Sequence, residues 1–298
     1  MEVRNACACW LVLLFWVAVA ATGVRCSKFD DLVQPSWATD HIIYEGELLK
    51  LKLDNSSGAG FASKSKYLYG KVTAELKLVE GDSAGTVTAF YMSSDGVTHN
   101  EFDFEFLGNR TGEPYLVQTN LYINGLGNRE QRMDLWFDPT ADFHAYSILW
   151  NPRQVVFLVD DTPVRVFSNK EKHGIAFPRD QPMGVYSSIW NADDWATEGG
   201  RVKTDWSHAP FLATFRSLRI DGCEWAPSAD AAGGAAEVQR CSASEWGKEG
   251  RYWWKEKEME ALSLHQSHQL IWARANHMVY DYCNDPGRFP TQPPECGK

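Results

Sequence analysis

The run Glu101-Phe-Asp-Phe-Glu-Phe106 constrains the fold more than any other stretch of this chain, because carboxyl and phenyl side chains alternate in it without a break. A helix would scatter both kinds around its surface. A strand has a period of two, so it sends Glu101, Asp103 and Glu105 to one face and Phe102, Phe104 and Phe106 to the other. The rings must enter a core, which fixes the register and leaves three carboxyls in one outward row. The segment therefore reads as an amphipathic strand in a layered β protein.

Neighbouring segments agree. Leu48–Leu53, Lys71–Leu78, Thr86–Tyr91, Val155–Val159 and Val164–Phe167 are short, alternating or apolar, and separated by Gly, Asp, Asn and Pro. No long amphipathic helix interrupts residues 40–220. The expected fold class is all-β, an antiparallel sandwich or jelly roll, whose curved sheet offers a groove to a linear polymer. Beyond residue 220 the text changes. Ala226–Ala236 reads as a loop, Lys255 to about Ala275 as a helix, and Met278–Tyr282 as a final short strand. The expected organisation is a signal peptide over residues 1–24, cut somewhere in 20–26, a sandwich over 25–220 and an extension over 221–298. The apolar run Trp10–Ala21 behind Arg4 is short for a membrane span and favours secretion over stable membrane insertion.

Cys7, Cys9 and Cys26 belong to or border that leader, leaving four Cys in an oxidising compartment. Pairing within sequence-local loops gives Cys223–Cys241 and Cys283–Cys296. The net charge, 29 − 39 = −10, argues against nucleic acid as a partner. The 13 Trp then point to sugar-ring stacking or simple core packing.

Three acids in one row raise at least one carboxyl pKa, which keeps a proton available for general acid catalysis. Outer Cα atoms about 13 Å apart, with inward-leaning side chains, bring the outer carboxyls to ~6 Å, near the spacing of a retaining glycosidase. The alternatives are a solvated acidic stripe and a calcium site.

This motif resembles the E-x-D-x-E signature of glycoside hydrolase family 16, and more narrowly the plant xyloglucan endotransglucosylase/hydrolases. Tyr115–Asn120, Gly127–Arg132, Leu135–Pro139, Phe143-His144 with Trp150, Ser188–Thr197, Tyr280–Asp285 with Arg288–Pro290, and Pro293–Cys296 carry the same likeness. The resemblance implies a concanavalin-like β-jelly roll whose C-terminal extension lengthens the acceptor side of a cleft. It implies Glu101 as nucleophile, Glu105 as acid/base and Asp103 as helper, with a glycan at Asn109. It implies a xyloglucan donor, a xyloglucan or oligosaccharide acceptor, no metal or organic cofactor, a monomer, and a place in the cell wall. The compact Trp190–Thr197 segment is similar to transferase-type members. Hydrolysis, or non-catalytic polysaccharide binding on the same fold, are the competing outcomes.

For the groove, Gln118, Thr119 and Asn120 offer amide and hydroxyl groups, and Asn128, Arg129 and Glu130 follow a Gly-rich turn. Arg129 pairs alternatively with Asp134. Trp195 is the expected acceptor-side stacking residue, with backbone of Ala196 and Gly200 nearby, and Arg288 closes the acceptor end. Trp190 reads equally as groove or core. Trp136, Trp150 and Trp206 are assigned to core or rim, and His99 and His144 to structural roles. Asn100 stands where many family members carry Asp, on the face opposite the carboxylates.

Overall fold

Alternation becomes strand wherever it occurs. In the computed structural model, which describes residues 29–226, 234–243 and 252–297, the chain opens with a helical turn α1 (Phe29–Leu32). The strands that follow are β1 (Val33–Trp37), β2 (Ile42–Glu45), β3 (Leu48–Leu53), β4 (Ala59–Ser63), β5 (Tyr67–Lys77), β6 (Thr86–Ser93) and β7 (Glu101–Leu107). Then come β8 (Leu116–Tyr122), β9 (Gln131–Asp134), β10 (His144–Trp150), β11 (Gln154–Val159), β12 (Thr162–Ser168), β13 (Gly184–Asn191) and β14 (Phe211–Glu224). The extension adds helices α2 (Ala235–Ser242) and α3 (Leu264–His277) and strand β15 (Met278–Asp281). The leader, with Cys7, Cys9 and Cys26, lies outside the described residues. Among the described residues, no helix is long and apolar enough to cross a membrane.

Two antiparallel sheets result. One has the order β1-β4-β13-β6-β7-β8-β9-β15, the other β12-β11-β10-β5-β14-β3-β2. This is the expected β sandwich. The acidic strand β7 lies inside the eight-stranded sheet, paired on both sides, so its register is held by two neighbours. Phe102, Phe104 and Phe106 are fully buried between the sheets. Phe104 meets Phe157 of the opposite sheet edge-on at 5.2 Å, Phe106 meets Tyr146 at 4.6 Å, and Phe102 meets Trp150 at 5.4 Å. These contacts fasten the acidic row to the core. Phe104→Ala is expected to cost about 3–5 kcal/mol of stability, measurable as a lower denaturant midpoint with an unchanged slope.

The extension is not a separate body. β14 runs through the boundary expected at residue 220, and β15 joins the eight-stranded sheet beside β9. The expected disulfides close, Cys223–Cys241 joining β14 to α2 and Cys283–Cys296 stapling the last turns. The helix expected from Lys255 begins instead at Leu264. Ser263 Oγ accepts from Gln266 N–H while Gln266 Oε1 accepts from Ser263 N–H, a capping box that sets the start. The preceding segment forms only short 3-10 turns. Its carbonyls are taken by buried amides: Asn151 Nδ2 donates to Trp254 and Met259, and Gln154 Nε2 also donates to Met259.

Candidate active site

Period-two geometry places Glu101, Asp103 and Glu105 on the outer face of β7, opposite Tyr122, Asn120 and Gln118 of β8. A groove of about 370 Å³ lies over this row, lined also by Tyr91, Glu130, Arg132, Ser188, Trp190 and Trp195. The three acids do not share one environment. Asp103 is buried at 6% exposure. Burial, then the charges of Glu101 and Glu105 and a hydrogen bond with Glu101, push its pKa well above the usual carboxylate range, which favours its protonated form. Burial also raises Glu105, against the opposing pull of a hydrogen bond from Gln118. Two carboxyls therefore lean toward the protonated form beside a third that receives a hydrogen bond, which is an arrangement suited to acid/base chemistry.

Glu105 is held by a relay. Arg132 Nε donates to Gln118 Oε1 at 2.6 Å, and Gln118 Nε2 donates to Glu105 Oε2. The first bond fixes which end of the amide points at Glu105. Arg132 also lies over the Tyr280 ring of β15 at 5.5 Å, so the extension buttresses the relay. Arg132 was not among the expected site residues. Its partner becomes visible only through the β8–β9 pairing, which sets Gln118 opposite it. His99 flanks the row, its Nε2 4.0 Å from Glu101 and its ring stacked on Tyr122. Asn100 points away and is buried, its Oδ1 accepting from Asn124 N–H at 2.9 Å.

Several expected groove residues fall where expected. Asn120 faces Asp103 across the strands, its Oδ1 accepting from Leu121 and Arg129 N–H, which leaves its amino end for a ligand. Arg288 donates to both Glu130 oxygens and to Asn128 Oδ1 at 2.7 Å, carrying the extension to the groove rim. Trp195 lines the groove, and Trp190 does so while packing on a small apolar cluster. Trp150 is core, Trp136 packs on Trp272, and Trp206 on Phe211. His144 stacks on Phe137 and pairs with Asp160 at 2.6 Å.

Six of the expected residues do not line the groove: Asn128 and Arg288, which meet at its rim, and Thr119, Arg129, Ala196 and Gly200. Thr119 points between the sheets, where its carbonyl and Oγ1 accept from buried Arg165 Nη1 at 2.8 and 3.1 Å. The alternation that turns Gln118 and Asn120 toward the groove forces this. Arg129 pairs with Glu295 at 2.6 Å, not with Asp134, and ties the turn to the second disulfide loop. Ala196 is buried in the apolar cluster beneath Trp190 and Trp195. Gly200, at φ +88, shapes the following turn, where a Cβ would meet the Asp194 carbonyl at 2.1 Å.

The raised pKa of Asp103 has a thermodynamic signature. Its folded pKa lies above the unfolded one, so its contribution is full below the unfolded value and is lost as pH rises through the folded one. Asp103→Asn mimics the protonated form. It is expected to raise Tm at pH 7 by at least about 2 °C, with the gain disappearing in acid, while activity falls. Calorimetry across pH reads this directly.

The profile of glycosyl hydrolases family 16 matches residues 29–208, and that of the xyloglucan endo-transglycosylase C-terminus matches residues 248–296. The chain belongs to glycosyl hydrolase family 16. Among its relatives, xyloglucan endotransglucosylase protein 6 of Diospyros kaki is 67% identical over 98% of this chain and 95% of its own length. Xyloglucan endotransglucosylase/hydrolase protein 9 of Arabidopsis thaliana is 61% identical over 97% of this chain and 95% of its own. Two solved structures share the fold of this family 16 chain. The apo Crh5 transglycosylase superposes with a TM-score of 0.55 at 25% identity, covering 64% of this chain and 79% of its own. A prokaryotic β-1,3-1,4-glucanase from a mouse hindgut metagenome gives a TM-score of 0.52 at 25% identity, over 64% and 93%.

Proposed function

We propose that this chain is a retaining xyloglucan endotransglucosylase that builds and remodels the plant cell wall. Glu101 attacks the anomeric carbon of a β-1,4-linked backbone glucosyl while Glu105 protonates the departing oxygen. The nonreducing-end portion of the chain stays on the enzyme as a glycosyl ester of Glu101. Glu105, now ionised, takes the proton from a hydroxyl of an incoming xyloglucan end, which attacks from the face the leaving group vacated. Asp103, protonated, hydrogen-bonds Glu101 and steadies it as nucleophile and then as leaving group. The observation that carries this reading is the Arg132–Gln118–Glu105 relay beside the buried Asp103 carboxyl, because a binding module has no use for an acid held in this way.

Transfer must outcompete ~55 M water by positioning one acceptor hydroxyl. The relatives' names support xyloglucan as both donor and acceptor. The groove's far rim, where Arg288 clamps Glu130 and Asn128, supplies the acceptor surface with Trp195. Secretion to the apoplast as a monomer with a glycan at Asn109 completes the proposal. Asn109 sits on the loop after β7 as a half-exposed residue, its Nδ2 donating to the Pro114 carbonyl.

The test follows label and reducing ends together. Secreted protein is incubated with xyloglucan and a labelled xyloglucan oligosaccharide. Label is expected to enter polymer without a matching rise in reducing ends. Reducing ends without label would make the enzyme a hydrolase, and neither signal from folded protein would remove xyloglucan from the reading.

A further inference from the structure

The groove face carries one aromatic residue, far from the carboxylates, that the chemistry above leaves unused. Across the eight-stranded sheet Glu105 stands opposite Ala89, Ala89 opposite Ser188, Ser188 opposite Gly60, and Gly60 opposite Trp37. Directly opposed residues in antiparallel strands share a face. Trp37 therefore belongs to the face and row of Glu105. An irregularity between Pro35 and Trp37 produces this: the extra residue, Ser36, shifts Trp37 into register with Gly60, where an unbroken strand would have turned it to the core.

The intervening row is Ala89, Ser188 and Gly60, a floor of small side chains with room for sugar rings above it. Gly60 of β4 and Gly58, just before that strand, make the seat for the indole. A Cβ at Gly60 would lie 2.4 Å from Trp37 Nε1, and one at Gly58 3.0 Å from Trp37 Cη2. The indole thus rests across the backbone of β4 while 42% of the residue stays exposed. A large exposed aromatic held by glycines on a groove face is a stacking platform.

We propose that Trp37 is a distal donor-side subsite on which a pyranose of the glucan backbone stacks. β1 is four strand steps from β7 in the sheet order, about 19 Å at ~4.8 Å per step. A glucosyl unit in an extended chain advances by about one strand spacing, so the indole meets the fourth unit on the donor side of the cleavage point. This placement rests on the proposed function, which puts the acceptor on the β15 side of Glu105 and the donor on the β1 side. The platform selects donors by length and biases cleavage away from chain ends.

Trp37→Ala and Trp37→Phe are compared with wild type in the label-transfer assay, using polymeric xyloglucan and a donor oligosaccharide with only two backbone glucosyls on its donor arm. With polymer, Trp37→Ala is expected to raise the donor KM about tenfold, with kcat and the acceptor KM unchanged, and Trp37→Phe to lie between. With the short donor all three proteins perform alike, which also shows that the variants are folded. An unchanged polymer KM in a folded variant overturns the proposal, as does a rise confined to the acceptor KM. Wild-type protein inactive on both donors would instead be a failure of the functional reading. Calorimetric titration of wild type and Trp37→Ala with unbranched β-1,4-glucan oligosaccharides then decides on the platform, equal affinities overturning it.

Discussion

Glu101→Ala abolishes both transfer and hydrolysis, lowering kcat/KM by roughly 10⁵-fold, while the fold is kept. Truncation removes the nucleophile and leaves a small cavity on the groove face of β7. Azide is small enough to occupy that space and attack the anomeric carbon in place of the carboxylate. With an activated glycosyl donor it is expected to restore turnover and yield the α-glycosyl azide, by a single inversion. Product analysis by NMR checks this. Residual turnover above about a hundredth of wild type, without azide, would sink the nucleophile assignment.

Glu105→Gln is expected to lower kcat/KM on xyloglucan by about 10²–10⁴-fold, because an unactivated sugar leaving group needs its proton. The pH profile gives a second readout. Glu105 acts first as an acid, so activity is lost as pH rises through its pKa, and it sets the alkaline limb. Burial raises that pKa above the ordinary 4.5 and so carries the limb upward. The bond from Gln118 opposes the rise by favouring the carboxylate. Gln118→Leu should therefore move the alkaline limb to higher pH, and Arg132→Met, which removes a nearby positive charge, should move it the same way. A limb that moves down in either variant would remove Glu105 from the acid role.

What was legible in the sequence follows from how local each signal is. The Glu/Phe alternation of β7 announces its own faces, and the acidic row appears where it must. Thr119 carried the same signal: flanked by Gln118 and Asn120, it had to turn inward, and only its place in a family-like motif suggested otherwise. The capping box Ser263-x-x-Gln266 likewise stood in the sequence, and it outweighs the good helix formers before it. Arg132 was not legible, because its importance depends on which strand lies beside β8. Arg129 and Glu295 are distant in sequence, and their pairing needs the loop closed by Cys283–Cys296 to bring them together. The bulge at Ser36 belongs to the same class, since one extra residue changes the face that Trp37 presents.

The central claim is a double displacement that ends on a sugar rather than on water. The most direct measurement is the anomeric configuration of the new linkage, read by NMR on the first transfer product formed from xyloglucan and a short xyloglucan acceptor. The account predicts a β linkage between donor and acceptor from the earliest time points. An α linkage, or only free reducing ends with no new linkage at all, would contradict it.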